Sequence, residues 1–208
     1  MSVVAALRSV KRQTVRNVKR VCKLAGYSDV NWLRVRQIER WREFLGQQAP
    51  LGDMLEISPG WNRMWRQMPS RSYHSVDYPD FDICRDRLDR QFHIVIGDQV
   101  LEHVAAPRLA VANMRAMLRP GGYAMIAAPF LFRVHARPHD YYRWTEMGLR
   151  TLCREGGFAE SEIAVESWGN KACVRAHLGG PVRDYGFGRD LSNDPEYPIM
   201  VWAFARRS

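Results

Sequence analysis

An α/β fold built on a parallel sheet is what the sequence predicts, and three observations predict it. First, Gln91 to Pro129 reads as strand, helix, strand. The apolar run Phe92 to Ile96 has strand length, and polar Gly97-Asp98-Gln99 marks where a buried strand must end. A helical stretch with Leu109, Val111, Ala112, Met114, Met117 and Leu118 on its apolar face follows, and a second apolar run, Tyr123 to Ala128, ends at Pro129. Two buried strands joined through a helix pair in parallel. Second, two further runs precede this unit, Met54 to Ile57 and Tyr73 to Val76, each leading into turn residues. Third, Ile199 to Ala205 supplies a last strand after a loop rich in Gly, Pro, Asp and Asn. In open parallel sheets ligands bind outside the carboxyl ends of the strands, so Gly97-Asp98-Gln99 and Pro129-Phe130-Leu131 are where a site is expected.

The chain of 208 residues is long enough for one domain with an appendage. Its net charge of +9 is concentrated at the start: residues 1–46 carry a net +8, from 11 Lys/Arg and 3 Asp/Glu. Residues 1–46 are therefore read as a basic helical extension and residues 47–208 as the main domain. Val3, Leu7, Val10, Thr14, Val18, Val21 and Ala25 form one helical stripe among cations. It fits a helix packed on its own domain or on a second copy of the chain, or one lying on an anionic membrane surface. Cations interrupt every candidate secretory h-region, while the composition also suits an organelle transit peptide. The expected location is cytoplasmic, with a peripheral membrane contact as the alternative. Ser28 or Asp29 would cap a second helix with Val30, Leu33, Ile38, Trp41, Phe44 and Leu45 inward, closed by Gly46. No apolar run approaches the ~20 residues that span a bilayer. Cys22, Cys84, Cys153 and Cys173 contain no C-x-x-C pair and suggest a reducing compartment.

Asp77 ends the second strand, where a carboxylate can accept both ribose hydroxyls of a nucleoside. Phe81 to Cys84 is a candidate third strand, but only Tyr78 to Asp80 separate it from the second, too few for a parallel crossover. The sheet is thus expected to be shortened at that edge, with either a rudimentary strand there or a merely extended segment. Arg119-Pro120-Gly121-Gly122 is expected to cap the central helix, with Arg119 favoured by the dipole and a glycine left-handed. Thr145 is expected to cap a helix through Leu149 and Leu152, with Gly156-Gly157 ending it, and Ile163 to Trp168 reads as a further strand. Glu102 and His103 are read as structural, with Glu102 favouring the positive end of a helix.

Val100-Leu101-Glu102-His103-Val104, then Arg119-Pro120-Gly121-Gly122, then a strand ending in Pro129 resemble class I S-adenosylmethionine (SAM)-dependent methyltransferases, more closely the methyltransferase type 11 family. The resemblance covers roughly residues 50–206. It implies a Rossmann-like class I methyltransferase fold whose last strand is antiparallel, SAM as cofactor, and helices before the first strand that cover the cofactor pocket. It also implies that Glu56, Ser58 and Gly60 take the place of the family's acidic residue and glycine-rich loop, with Ser58 and Asn62 standing where glycines are usual. Serine is small and asparagine tolerates the left-handed region, so such a loop can still form. Asp86, with Asp89 as the alternative, would approach the adenine amino group. Cofactor contacts are accordingly expected from Glu56, Ser58, Gly60, Asp77, Asp86 and Asp98.

The segment from Phe130 to Thr145 is dense in aromatic, basic and imidazole side chains. His135 and His139 are candidate general bases, Asp140 could orient an imidazole, and Tyr141, Tyr142 and Arg143 could shape an acceptor pocket. His135 and His139 lie four apart without a further ligand set, so no metal site is predicted. An N-P-P-Y motif after the central strand is absent, and so is a Pro-Cys nucleophile. The acceptor is therefore expected to be a small molecule or glycan, through a hydroxyl, and not a nucleic acid. The alternative is a non-catalytic module of the same fold with an eroded SAM loop, recruited to a partner or a membrane.

Overall fold

A computed structural model of the chain describes residues 17–18, 21–22, 24, 27, 30–60, 64–136, 138–179 and 187–208. The expected helical stripe of residues 1–25, the cap at Ser28 or Asp29, and Asn62 lie outside the described residues or almost wholly so. The six strands are β1 (Leu51–Ile57), β2 (Ser70–Val76), β3 (Phe92–Asp98), β4 (Leu118–Pro129), β5 (Ile163–Trp168) and β6 (Met200–Arg206). The helices are α1 (Val35–Gln47), α2 (Pro107–Ala116), α3 (Glu146–Glu155) and α4 (Lys171–Leu178).

All six strands form one sheet in the order β2-β1-β3-β4-β6-β5. β1 to β4 run parallel, and β6 is antiparallel to both of its neighbours. The chain steps from β1 outward to β2 and then crosses to the other side of β1 for β3. The order therefore reverses between β1 and β3, which is where open α/β sheets hold ligands.

The central strands are buried on both faces, which is why β3 and β6 read as nearly continuous apolar runs. On one face α1 contributes Trp41 and Leu45 to a core with Met54, Ile94, Ile96 and Phe204. Phe44 stacks on Phe204 with ring centroids 4.1 Å apart, worth ~0.5–1.5 kcal/mol beyond area burial. On the other face α2 and α3 bring Val111, Met114, Leu149 and Leu152 against Leu55, Val95 and Ile126.

The expected caps at α3 are present. Thr145 Oγ1 accepts from Gly148 N at 3.1 Å, and Gly157 takes φ +97° after the last turn. Four expectations need correction. Phe81 to Cys84 is a turn and not a strand, tied by Asp86 N and Arg85 N donating to Asp82 O; β2 is the sheet edge. Gly46 does not close α1, which runs on to Gln47. Arg119-Pro120-Gly121-Gly122 does not cap α2. Those residues form a bulge within β4, between the pairings Phe92–Leu118 and Ile94–Tyr123. Glycine is required at 122 because a Cβ there would lie 2.8 Å from His93 O. The last α2 carbonyls, those of Arg115 and Ala116, are met instead by Arg207 Nη1, which also donates to Leu118 O at the start of β4. Last, α4 is a helix where none was expected, started by Asn170 Oδ1 accepting from Cys173 N at 2.8 Å.

At the amino end of β1, Asp53 is buried and accepts from Arg71 Nε at 2.8 Å, Ser72 Oγ at 2.7 Å and Arg90 Nη2 at 3.0 Å. The Arg71 guanidinium and the Ser72 hydroxyl hold its carboxyl far below the ordinary aspartate value of 3.8. A carboxylate depressed in the folded state stabilises it fully above that ordinary value, and the contribution fades as pH falls toward the folded value. Asp53→Asn should therefore lower the melting temperature at neutral pH, and the gap from the unsubstituted chain should narrow on acidification below about pH 4. Thermal unfolding followed by circular dichroism across pH checks this.

Candidate active site

Two cavities open at the carboxyl ends of β1, β2 and β3, and they share a wall. The first, about 600 Å³, is bounded by Ile57, Ser58, Asp77, Phe81, Asp82, Val100 and Tyr141 among others. The second, about 490 Å³, is bounded by Arg34, Glu56, Gly60, Trp65, Asp98 and His135 among others. Ser58, Gln99 and His103 belong to both. Each volume lies within the range of small-molecule and cofactor sites.

The shared wall is where the backbone is strained. Ser58 has φ +48° and Gln99 has φ +62°, the non-glycine residues with positive φ among those described. Each extends its strand by one backbone bond, Ser58 N to Val76 O at 2.8 Å and Gln99 N to Ala127 O at 2.9 Å, and then turns sharply. Such residues cost ~1–3 kcal/mol and cluster at ligand sites. Ser58 thus adopts the left-handed conformation expected of a glycine at that position. Gln99 Nε2 is buried in the wall with no hydrogen-bond partner among the described residues.

The second cavity is framed by charge. Asp98 accepts from Arg34 Nη2 at 2.5 Å, Gln37 Nε2 at 3.0 Å and Trp65 Nε1 at 3.0 Å. Glu56 is buried and accepts from the Tyr73 hydroxyl. Arg34 comes from the helical turn before α1, so the segment preceding the first strand does cover this side of the site.

The segment after β4 is braced from within. Arg143 binds Asp140 with both terminal nitrogens, at 2.5 and 2.8 Å, and also donates to the carbonyls of Phe132, Arg133 and Tyr142. Asp140 accepts from His135 N at 2.7 Å, and the Arg143 guanidinium holds its carboxyl well below the usual range. Tyr141 N donates to Glu102 O at 2.7 Å, fastening the segment to the short turn Leu101–His103. That folding brings the His103 and His135 rings to 5.0 Å. Glu102 lies behind them, fully buried, and burial raises its carboxyl to about 8. Burial also lowers the His135 imidazole below its ordinary value.

Of the residues expected from sequence, Glu56, Ser58, Gly60, Asp98 and His135 line the second cavity, and Ser58, Asp77, His139 and Tyr141 line the first. Asp86, Asp140, Tyr142 and Arg143 line neither. Asp86 caps its own turn by accepting from Asp82 N at 2.7 Å, and Asp82 is the carboxylate that borders the cavity. Tyr142 donates to Ala105 O, and the guanidinium of Arg143 is spent on the segment itself. His135 and His139 border different cavities; the imidazole that meets His135 is His103. Glu102 does not serve a helix dipole, because α2 begins only at Pro107. Arg34, Trp65, Glu102 and His103 were not expected at the site, and Gln99 was expected only as part of the strand end Gly97-Asp98-Gln99. The only signal for Gln99 and Glu102 was their place directly after a buried strand.

A structure of the N-methyltransferase NodS from Bradyrhizobium japonicum, in complex with S-adenosylhomocysteine, superposes with a TM-score of 0.57 at 14% identity, covering 86% of this chain and 90% of that one. The fold is that of the class I methyltransferases. A SAM-dependent methyltransferase from Clostridium acetobutylicum agrees over 96% of this chain and 100% of its own, with a TM-score of 0.56 at 8% identity. Phosphoethanolamine N-methyltransferase 2 from Haemonchus contortus, in complex with SAM, gives a TM-score of 0.55 at 12% identity, covering 82% of this chain and 53% of that one. Among curated proteins, the ubiquinone biosynthesis O-methyltransferase of Nitrosococcus oceani is 24% identical over 136 aligned positions, covering 56% of this chain and 53% of that protein. The chain thus spans about half the length of the curated relative it matches. No family model matches the chain. Against the class I methyltransferase pattern, the departure at Ser58 changes the side chain and keeps the left-handed backbone.

Replacing Ser58 by valine should cost ~1–3 kcal/mol more stability than replacing it by glycine, since a β-branched residue is a poor fit to φ +48°. Urea unfolding of the two variants measures the difference.

Proposed function

We propose that this chain is a SAM-dependent methyltransferase acting on a hydroxyl of a small molecule or glycan. The pair of cavities that meet at the strained Ser58–Gln99 wall, where the strand order reverses, carries the reading. The residues present fit the cofactor. Asp77 would hold the ribose hydroxyls, and Phe81, Ile83 and Val100 offer an apolar bed for the adenine with Asp82 beside it. Arg34 would meet the amino-acid carboxylate and Glu56 its ammonium, while the buried Gln99 amide gains the acceptor it lacks. When bound, SAM supplies a methyl group on a sulfonium, displaced directly by a nucleophile, so the protein's work is alignment and exclusion of water.

At the acceptor end, His103 and His135 face the second cavity with Glu102 behind them, and Asp140 and Arg143 act as positioning residues for His135. This cluster polarises the acceptor hydroxyl. His139 is exposed on the rim of the first cavity, where it and Tyr141 would border the bound cofactor or a substrate entering beside it. The relatives named as acting on oxygen and on nitrogen leave the fold open to both; the imidazole cluster, which can activate a weakly acidic hydroxyl, favours oxygen.

Calorimetric titration of the full chain with SAM should show saturable binding of one molecule per chain. Asp77→Ala should weaken it by roughly 10–100-fold, the worth of hydrogen bonds to a charged group. Absence of heat and of any melting-temperature shift at high SAM would leave a non-catalytic module of the same fold.

A further inference from the structure

We propose that Glu102, His103 and His135 bind one divalent transition-metal ion, zinc in the first instance, beside the wall that joins the two cavities. Glu102 is completely buried, and neither of its carboxyl oxygens has a hydrogen-bond partner on any other described residue. Buried polar groups are almost always satisfied, so a carboxyl with two bare oxygens points to a ligand. The groups that face it are imidazoles. His103 Nε2 lies 3.8 Å and His135 Nε2 3.9 Å from the same oxygen, Oε1. One donor atom from each of the three residues lies within 4.8 Å of the others. Two zinc–ligand bonds of about 2.0–2.2 Å span up to ~4.2 Å, so small side-chain rotations close the site.

The outer partners are already in place. His103 Nδ1 lies 2.6 Å from His139 O and so carries its proton there, leaving Nε2 free to ligate. His135 Nδ1 faces Arg133 O at 3.3 Å and the Asp140 carboxylate at 3.4 Å, two acceptors that outweigh the one donor nearby, Arg143 Nη2 at 3.4 Å. A carboxylate or carbonyl behind each ligating histidine is the usual support of a metal site. Two imidazoles and one carboxylate suit zinc and its first-row neighbours better than magnesium or calcium, which prefer all-oxygen shells. Three protein ligands leave a coordination position, and both histidines border the second cavity. The ion's chemical role rests on the methyltransferase reading: a Lewis acid there would hold an acceptor hydroxyl and lower its pKa. The binding itself does not depend on that reading.

The full chain, stripped with a chelator and desalted, is titrated with zinc chloride by calorimetry and with cobalt(II) by visible absorption. The expected result is one ion per chain and ligand-field bands for cobalt(II). His103→Ala and His135→Ala should each weaken zinc by more than about 100-fold, because loss of an outer partner alone costs 10–100-fold. His139→Ala should leave zinc affinity unchanged, since only its backbone carbonyl touches the cluster. Glu102→Gln, which keeps the shape of the side chain, should lose affinity likewise and serves if an alanine variant unfolds. No saturable binding by the unsubstituted chain, or binding that survives the loss of both histidines, overturns the proposal. SAM titration of the metal-free chain is read separately: SAM binding without zinc binding defeats only the metal site, and the converse defeats only the cofactor assignment.

Discussion

Asp98 ends β3 and accepts hydrogen bonds from three side chains that enter from different places, Arg34 and Gln37 around the start of α1 and Trp65 from the crossover between β1 and β2. A carboxylate this enclosed is tolerated only while its donors stay in place. The three donors in turn fix the helix that covers one face of the sheet and the turn that follows β1. Trp41 and Trp65, with centroids 5.2 Å apart, complete the same joint with apolar contact. Removing the Asp98 carboxylate would therefore loosen the roof of the second cavity and the α1 face of the core together.

From that joint the site follows. β1 and β3 are neighbours, and each is followed at once by a residue in the left-handed region, Ser58 and Gln99. Both side chains are thereby aimed between two cavities. The segment after β4 reaches back over the strand ends and is held by the Asp140–Arg143 pair, which consumes the charges that looked available for a substrate. The segment delivers His139 and Tyr141 to the first cavity and His135 to the second, where it is set against His103 and Glu102. The residues that brace the loop and the imidazole it presents to the second cavity are consequently different.

The sheet was legible in the sequence because strands buried on both faces are written as apolar runs with polar ends, and the limits of β3 and the cap of α3 could be placed from residues alone. The bulge at Arg119 to Gly122 was not, because a glycine pair after a helix reads equally as a cap, and the pairing of β3 with β4 on both sides of it is what distinguishes the two. Helix α4 was missed because its eight residues are too few to establish a period. At the site, residues at strand ends could be found by position. Pairings made across the fold could not: nothing in the spacing says that Arg143 serves Asp140 instead of a ligand, that Arg34 reaches Asp98, or that His135 meets His103 and not His139.

We propose that the strand ends of β1 and β3 hold a SAM-derived ligand across a shared wall, and a crystal structure of the chain with S-adenosylhomocysteine decides it. Density is expected to span both cavities past Ser58 and Gln99, with the ribose hydroxyls on Asp77 and the Gln99 amide engaged. Clear density for the ligand at any other place, or strand-end cavities still free of it at saturating concentration, would overturn the proposal.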